Sequence, residues 1–281
     1  MLDDTADPDR PRVVAHRGFA GVAPENTVGA VQFAADAGAE MVEIDVRPTS
    51  DGEVVVFHDD DLSGREDASG GLTDRTGLVH ETPWDVVRTA EVLGSGETVP
   101  TLSAVLNALP SAVGVNVELK HPGTDGLRFG ERLSGDSLSA AVDRWHAFVA
   151  SVVAVAERHD HEVLFSSFYE GALAATRDLA PSVPRAALCT TDVETGLATA
   201  REYDCAAIHP PADALLSGPL DGDERATGPD ARPAPLQTAQ ESGLDVNVYT
   251  VRTWETARSL AALDVDGIIA DYPGLFAFEQ R

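Results

Sequence analysis

Two histidines, an arginine, a lysine and three acids fall within, or just beyond, short apolar runs in this chain. Val13-Val14-Ala15 leads into His16-Arg17-Gly18, and Val54-Val55-Val56-Phe57 leads into His58-Asp59. Met41 to Val46 contains Glu43 and Asp45, while Gly114 to Leu119 carries Glu118 and runs on into Lys120. Side chains two apart on a strand share a face, so Glu43 points with Asp45 and Glu118 with Lys120.

Two carboxylates about 4 Å apart repel by roughly 4 kcal/mol at an effective dielectric of ~20, and a shared cation removes that cost. Glu43, Asp45 and Glu118 offer only oxygen donors, which suits a hard divalent ion, Mg2+ or Ca2+, better than zinc. The alternative for the same acids is ion pairing with arginines along a rim. His16 and His58 titrate near neutrality, as a proton donor and acceptor must. Arg17 can grip two phosphoryl oxygens and Lys120 adds a point charge. Together these groups describe phosphoryl transfer, with cations stabilising charge on phosphoryl oxygens while the histidines move protons. Two rival classes use the same residues: a Schiff-base aldolase or lyase through Lys120, and a barrel that binds a phosphate ligand without turning it over.

Holding such groups together requires strands whose ends meet. Pro24-Glu25-Asn26-Thr27 reads as a helix start running to about Gly38, Asp51-Gly52 as a hairpin turn, and Pro100-Thr101-Leu102 as the start of a helix to Leu109. Between Ser139 and His159 the positions Trp145, Phe148, Val149, Val152 and Val153 follow helical spacing and predict core packing. Strands at Val163–Phe165, Arg185–Cys189, Ala206–Ile208, Asp245–Val251 and Gly267–Ala270 then alternate with helices at Tyr169–Leu179, Val193–Glu202, Leu236–Ser242 and Thr253–Leu263, and a closing helix. The strands that lead into helices number eight, which implies an α/β fold, a TIM (β/α)8 barrel over residues 12–281, with its chemistry at the C-terminal strand ends. Residues 59–98 are polar and glycine-rich and predict an insertion over the barrel mouth, with a short helix around Trp84 to Leu93. Residues 1–11 read as an acidic solvated tail and Pro210 to Pro235 as a loop. His209 ends a strand and is a further candidate for lining the pocket.

The 47 acidic residues against 20 basic ones leave a net charge of -27, which excludes nucleic acid or an anionic membrane as a partner. Lys120 is the only lysine. So acidic and lysine-poor a composition suits a saline cytoplasm, where the Debye length falls to about 3 Å at ~1 M salt and self-repulsion is screened. The expected result is unfolding on transfer to low salt, read by circular dichroism across a salt series; full stability in dilute buffer would contradict it. Cys189 and Cys205 are too few for a disulfide framework. The N-terminus lacks signal-peptide character and no run reaches the roughly eighteen apolar residues of a span, so a soluble, cytoplasmic protein is expected.

In order and spacing, His16-Arg17-Gly18, Pro24-Glu25-Asn26-Thr27, Glu43-x-Asp45, His58-Asp59, Pro100-Thr101-Leu102, Glu118-Leu119-Lys120, Ser167-Phe168 and Asp266-Gly267-Ile268-Ile269 resemble the glycerophosphodiester phosphodiesterase family. The resemblance implies a metal-dependent barrel hydrolase that cuts glycerophosphodiesters to glycerol 3-phosphate and an alcohol. It implies His16 and His58 as the acid/base pair and Glu43, Asp45 and Glu118 as ligands of one divalent cation. It also implies Arg17 and Lys120 as phosphate contacts, and Phe168 and Tyr249 are further candidates for touching the substrate. Many family members read Trp-Thr-Val-Asn where this chain has Tyr249-Thr250-Val251-Arg252, and a threonine where it has Ala270. Those departures bear on the alcohol side of the pocket.

Overall fold

The computed structural model describes residues 10–64, 71–123, 127, 129–216 and 233–277. Among these residues the strands are β1 (Arg12–His16), β2 (Met41–Pro48), β3 (Val54–Val56), β4 (Gly114–Leu119), β5 (Val163–Ser167), β6 (Arg185–Leu188), β7 (Ala207–His209), β8 (Asp245–Val251) and β9 (Gly267–Ala270). All except β3 are parallel neighbours in the order β1-β2-β4-β5-β6-β7-β8-β9, and β9 pairs back onto β1, closing the expected eight-stranded barrel. β3 lies antiparallel along the end of β2, Val56 opposite Val46.

Period-two alternation decides what faces where. Ala15, Val42, Ile44, Val115, Val117 and Val248 belong to the large cluster shared with the helices, so they point outward. Their neighbours point into the barrel, whose floor is a separate apolar cluster of Val14, Met41, Leu164, Ala186, Ala207 and Ile269. Beside the upper residues of that floor the inward positions turn polar, Glu43, Asn116, Ser166 and His209, and above them come Asp45 and Glu118, all buried. The outer apolar half holds the barrel in its helices, and the inner half is free to carry chemistry.

The helices are α1 (Val28–Asp36), α2 (Trp84–Val87), α3 (Leu102–Ala108), α4 (Gly135–Ala156), α5 (Glu170–Leu179), α6 (Val193–Glu202), α7 (Ala212–Leu216), α8 (Ala234–Glu241) and α9 (Trp254–Ala261). α1 starts where a cap is available: Thr27 accepts from the Ala30 N–H at 3.1 Å and donates to Pro24 O at 2.7 Å. In α4 the stripe from Ala141 through Trp145, Phe148 and Val152 is buried as expected, and its strongest helix contact is α5. By length and composition α4 could cross a membrane, a test that a core helix also meets; Asp136, Asp143 and Arg144 interrupt it, so no unbroken run reaches eighteen apolar residues.

Three expectations need correction. The helix expected over Trp84 to Leu93 is only the single turn of α2; Ala90 and Val92 instead join Val55, Phe57, Leu62, Val79 and Val87 in a small core of their own. The Pro210 to Pro235 loop contains α7 and the start of α8, with 217–232 outside the described residues. No closing helix follows β9 among the described residues: 271–277 are bends and turns, since Pro273 and Gly274, at φ 71, break helical geometry. Most of the acidic tail, 1–9, lies outside the described residues.

Candidate active site

The tight turn after β1 builds one wall of the site. Arg17, Gly18 and Phe19 all have positive φ, at 51, 79 and 65°. Only glycine fits at the centre, because a Cβ on Gly18 would come 2.7 Å from the Ala30 backbone. This turn sends the Arg17 N–H to Glu43 Oε2 at 2.9 Å and folds the guanidinium inward, to Glu25 Oε1 at 2.7 Å and Asp45 Oδ2 at 3.2 Å.

Both histidines are backed by carboxylates. His16 Nδ1 lies 2.6 Å from Asp271 Oδ1, just past the end of β9, and its Nε2 is 4.0 Å from Glu43 Oε2. His58 Nδ1 pairs with the carboxylate of its neighbour Asp59. An acid on Nδ1 fixes the Nδ1–H tautomer and leaves Nε2 to exchange protons with a substrate. Burial pushes the His16 pKa down, against the opposing pull of Asp271. Asp271 is itself held low: burial opposes its charge, but the bonds from His16 and Arg252 outweigh it.

Glu43, Asp45 and Glu118 converge as the alternation predicts, with one donor atom from each lying within 4.8 Å of the others. Lys120 Nζ sits between two of them, 3.1 Å from Asp45 Oδ1 and 2.5 Å from Glu118 Oε1. Asn26, at φ 59, clamps Asp45 from both ends: its Nδ2 donates to Oδ2 at 2.8 Å, and its Oδ1 accepts the Asp45 N–H at 3.1 Å. Rim ion pairing thus accounts for Asp45 and Glu118 but leaves out Glu43. Its Oε1 is buried without a hydrogen bond, and burial, then Asp45 and Glu118, drive its pKa well up. Asp45 goes the other way: burial opposes its charge, yet Lys120 and Arg17 hold its pKa well down. Three buried carboxylates, one with an orphan oxygen, fit a divalent cation.

Phe168 and Tyr249 touch edge to face, centroids 6.0 Å apart, and Phe129 stacks on Phe168 at 4.5 Å. The Tyr249 hydroxyl donates to Cys189 O at 2.6 Å. His209 does line the barrel but at a buried level. Arg47 carries a role that sequence reasoning missed. Its buried guanidinium donates to His58 O at 2.7 and 2.9 Å and to His121 O at 2.8 Å, and pairs with Asp60 at 2.5 Å. It thereby ties the His58 backbone to the ends of β2 and β4. The roles of Asp59, Asp271 and Asn26 were likewise unassigned; an acid beside His58 and one ending the last strand were the available signals.

Known proteins resemble this arrangement. The glycerophosphoryl diester phosphodiesterase family matches residues 16–275. A glycerophosphodiester phosphodiesterase of Bacillus altitudinis is 28% identical, over 93% of this chain and 95% of that one. Among solved structures, an Oleispira antarctica phosphodiesterase in complex with the product sn-glycerol-3-phosphate superposes with a TM-score of 0.75 at 26% identity, covering 97% of this chain and 98% of that one. Glycerophosphodiester phosphodiesterase from Agrobacterium tumefaciens gives 0.70 at 25%, with 95% and 99% covered. With the matched residues running from His16 past Asp271, the chain belongs to the glycerophosphoryl diester phosphodiesterase family and is a phosphodiesterase.

Proposed function

We propose that this enzyme hydrolyses glycerophosphodiesters to sn-glycerol 3-phosphate and an alcohol, with His16 and His58 as its proton-transfer pair. The observation that carries this reading is the pair of acid-backed histidines beside three converging carboxylates at one end of the barrel. The Oleispira relative, held with sn-glycerol-3-phosphate, supports the same substrate class.

Hydrolysis makes a bond from phosphorus to an attacking oxygen and breaks the one to the leaving alcohol. One histidine Nε2 takes the proton of the attacking oxygen, and the other returns a proton to the alcohol oxygen. Arg17 and Lys120 add positive charge beside the phosphoryl group while keeping Asp45 ionised. Bound by Glu43, Asp45 and Glu118, Mg2+ or Ca2+ would supply electrostatic stabilisation of the phosphoryl oxygens and offset the repulsion between the acids and an anionic ester. The aromatic group of Phe168, Tyr249 and Phe129 offers the leaving alcohol an apolar surface. An acid-rich surface, with Lys120 kept for the site, supports a high-salt cell interior as the place of work.

A Schiff base at Lys120 is disfavoured by its setting. Burial lowers its pKa, but Asp45 and Glu118 more than reverse that and hold it raised, whereas an amine nucleophile needs the opposite. The test is release of glycerol 3-phosphate from a panel of diesters differing in the alcohol. Product with metal present is the expected result; binding without release, or a borohydride-trapped adduct at Lys120, overturns the proposal.

A further inference from the structure

Around and just below Glu43 the barrel interior stays polar at Ser166, His209, Asn116 and Asn247, where nothing in the proposed chemistry requires it. In barrels of this kind, inward side chains of alternate strands stack in layers of about four. Following the strand registers, Glu43, Ser166, His209 and Ile269 occupy one layer, and Val14, Asn116, Ala186 and Asn247 the layer beneath it. Glu43 is 3% exposed, Ser166 0%, His209 1% and Asn116 1%.

Four polar atoms in these two layers lack a hydrogen-bond partner: Glu43 Oε1, Asn116 Oδ1, Ser166 Oγ and His209 Nδ1. Their roles are assignable. Asn247 Nδ2 lies 3.1 Å from His209 Nε2, so that ring nitrogen accepts and Nδ1 carries the proton. Asn247 is held close against β9, where a Cβ on Gly267 would come 2.2 Å from its Oδ1. Burial keeps the imidazole neutral, its pKa pushed down to about 3. The orphans are therefore an N–H donor, a hydroxyl and two oxygen acceptors. That is the complement of one water molecule, which accepts two hydrogen bonds and donates two; buried waters typically make about three.

We infer that this layer encloses an ordered water that takes the His209 Nδ1–H and Ser166 hydroxyl protons and donates to Glu43 Oε1 and Asn116 Oδ1. His209 is then a positioning residue: through that water it fixes the carboxylate that faces the cation. Partners of this kind behind a metal ligand are worth roughly 10–100-fold in metal affinity. The inference rests on the metal reading of Glu43, and its test separates the two.

Calorimetric titration of Mg2+ and of Ca2+ into the whole, metal-stripped protein is the measurement. His209→Leu should weaken ion binding by ~10–100-fold, with Ser166→Ala shifting it the same way by less and His209→Gln, which keeps an N–H, recovering part of the loss. A merely structural His209 would lower Tm and leave ion affinity unchanged. Wild-type affinity in both His209→Leu and Ser166→Ala overturns the water bridge while the metal site stands; absence of binding by the wild type overturns the metal reading itself. Should His209→Leu fail to fold, Ser166→Ala decides. A crystal structure of the wild type gives the direct readout: density for a water within reach of His209 Nδ1 and Glu43 Oε1 supports the bridge, and dry space there ends it, whatever the ion does.

Discussion

His16→Ala and His58→Ala are each expected to lower turnover by at least ~100-fold, the ordinary scale of general acid or base loss. Each ring is locked at Nδ1 by an acid, so no other orientation or tautomer competes with the one that presents Nε2 to a phosphodiester. Alanine removes both the proton carrier and that alignment. Asp271→Asn separates the two contributions for His16. The Asp271 hydrogen bond and charge raise the His16 pKa against the larger downward push of burial, so removing the charge lets that pKa fall further. Whichever limb of the kcat/KM profile belongs to His16 must then move to lower pH, whether it acts as base or as acid. Steady-state kinetics from about pH 5 to 9 read this out. Most of the activity surviving in either alanine variant would remove that histidine from the mechanism, and an unmoved limb in Asp271→Asn would reduce the acid to a structural role.

The difference between what the sequence discloses here and what it conceals lies in range. Glu43 with Asp45, and Glu118 at the end of its strand, are legible because alternation along a strand is a local rule, and the rule holds in β2 and β4. The helix start at Thr27 is legible because a threonine cap is local too. His16 and Asp271 are paired across a barrel closure that joins the first strand to the last, and no local pattern announces that. Arg47 reads simply as a polar residue near the end of β2; its task appears only once β3 has folded back and brought the His58 carbonyl to it. Between residues 59 and 98 the apolar residues are too sparse for a period, yet they meet in one small cluster because tertiary contact, not repeat, brings them together. The closing helix fails for a similar reason. Asp271 must leave the strand with its carboxylate on His16, and a turn through Pro273 and Gly274 follows at once.

Removing the divalent ion is expected to abolish turnover and to lower Tm in the same titration. Within 4.8 Å the site holds three carboxylates, against which Lys120 and Arg17 supply only two positive charges, and Arg17 is shared with Glu25. An ion bound at ~100 times its Kd stabilises the fold by about 2.7 kcal/mol, so a chelator should shift the melt visibly, and Mg2+ or Ca2+ added back should restore both the melt and the turnover. Glu43→Gln turns this into a crossed prediction. Burial and two neighbouring acids press on an ionised Glu43, so deleting its charge should make the ion-free protein more stable than ion-free wild type while removing the response of Tm to metal and the turnover with it. Repulsion between buried acids explains the first effect and loss of a ligand the second, and no account in which Glu43 is ordinary packing yields both signs. A wild-type melt and turnover indifferent to chelation, together with a Glu43→Gln variant that merely melts lower, would show that the three acids are satisfied by Arg17, Lys120 and hydrogen bonds alone.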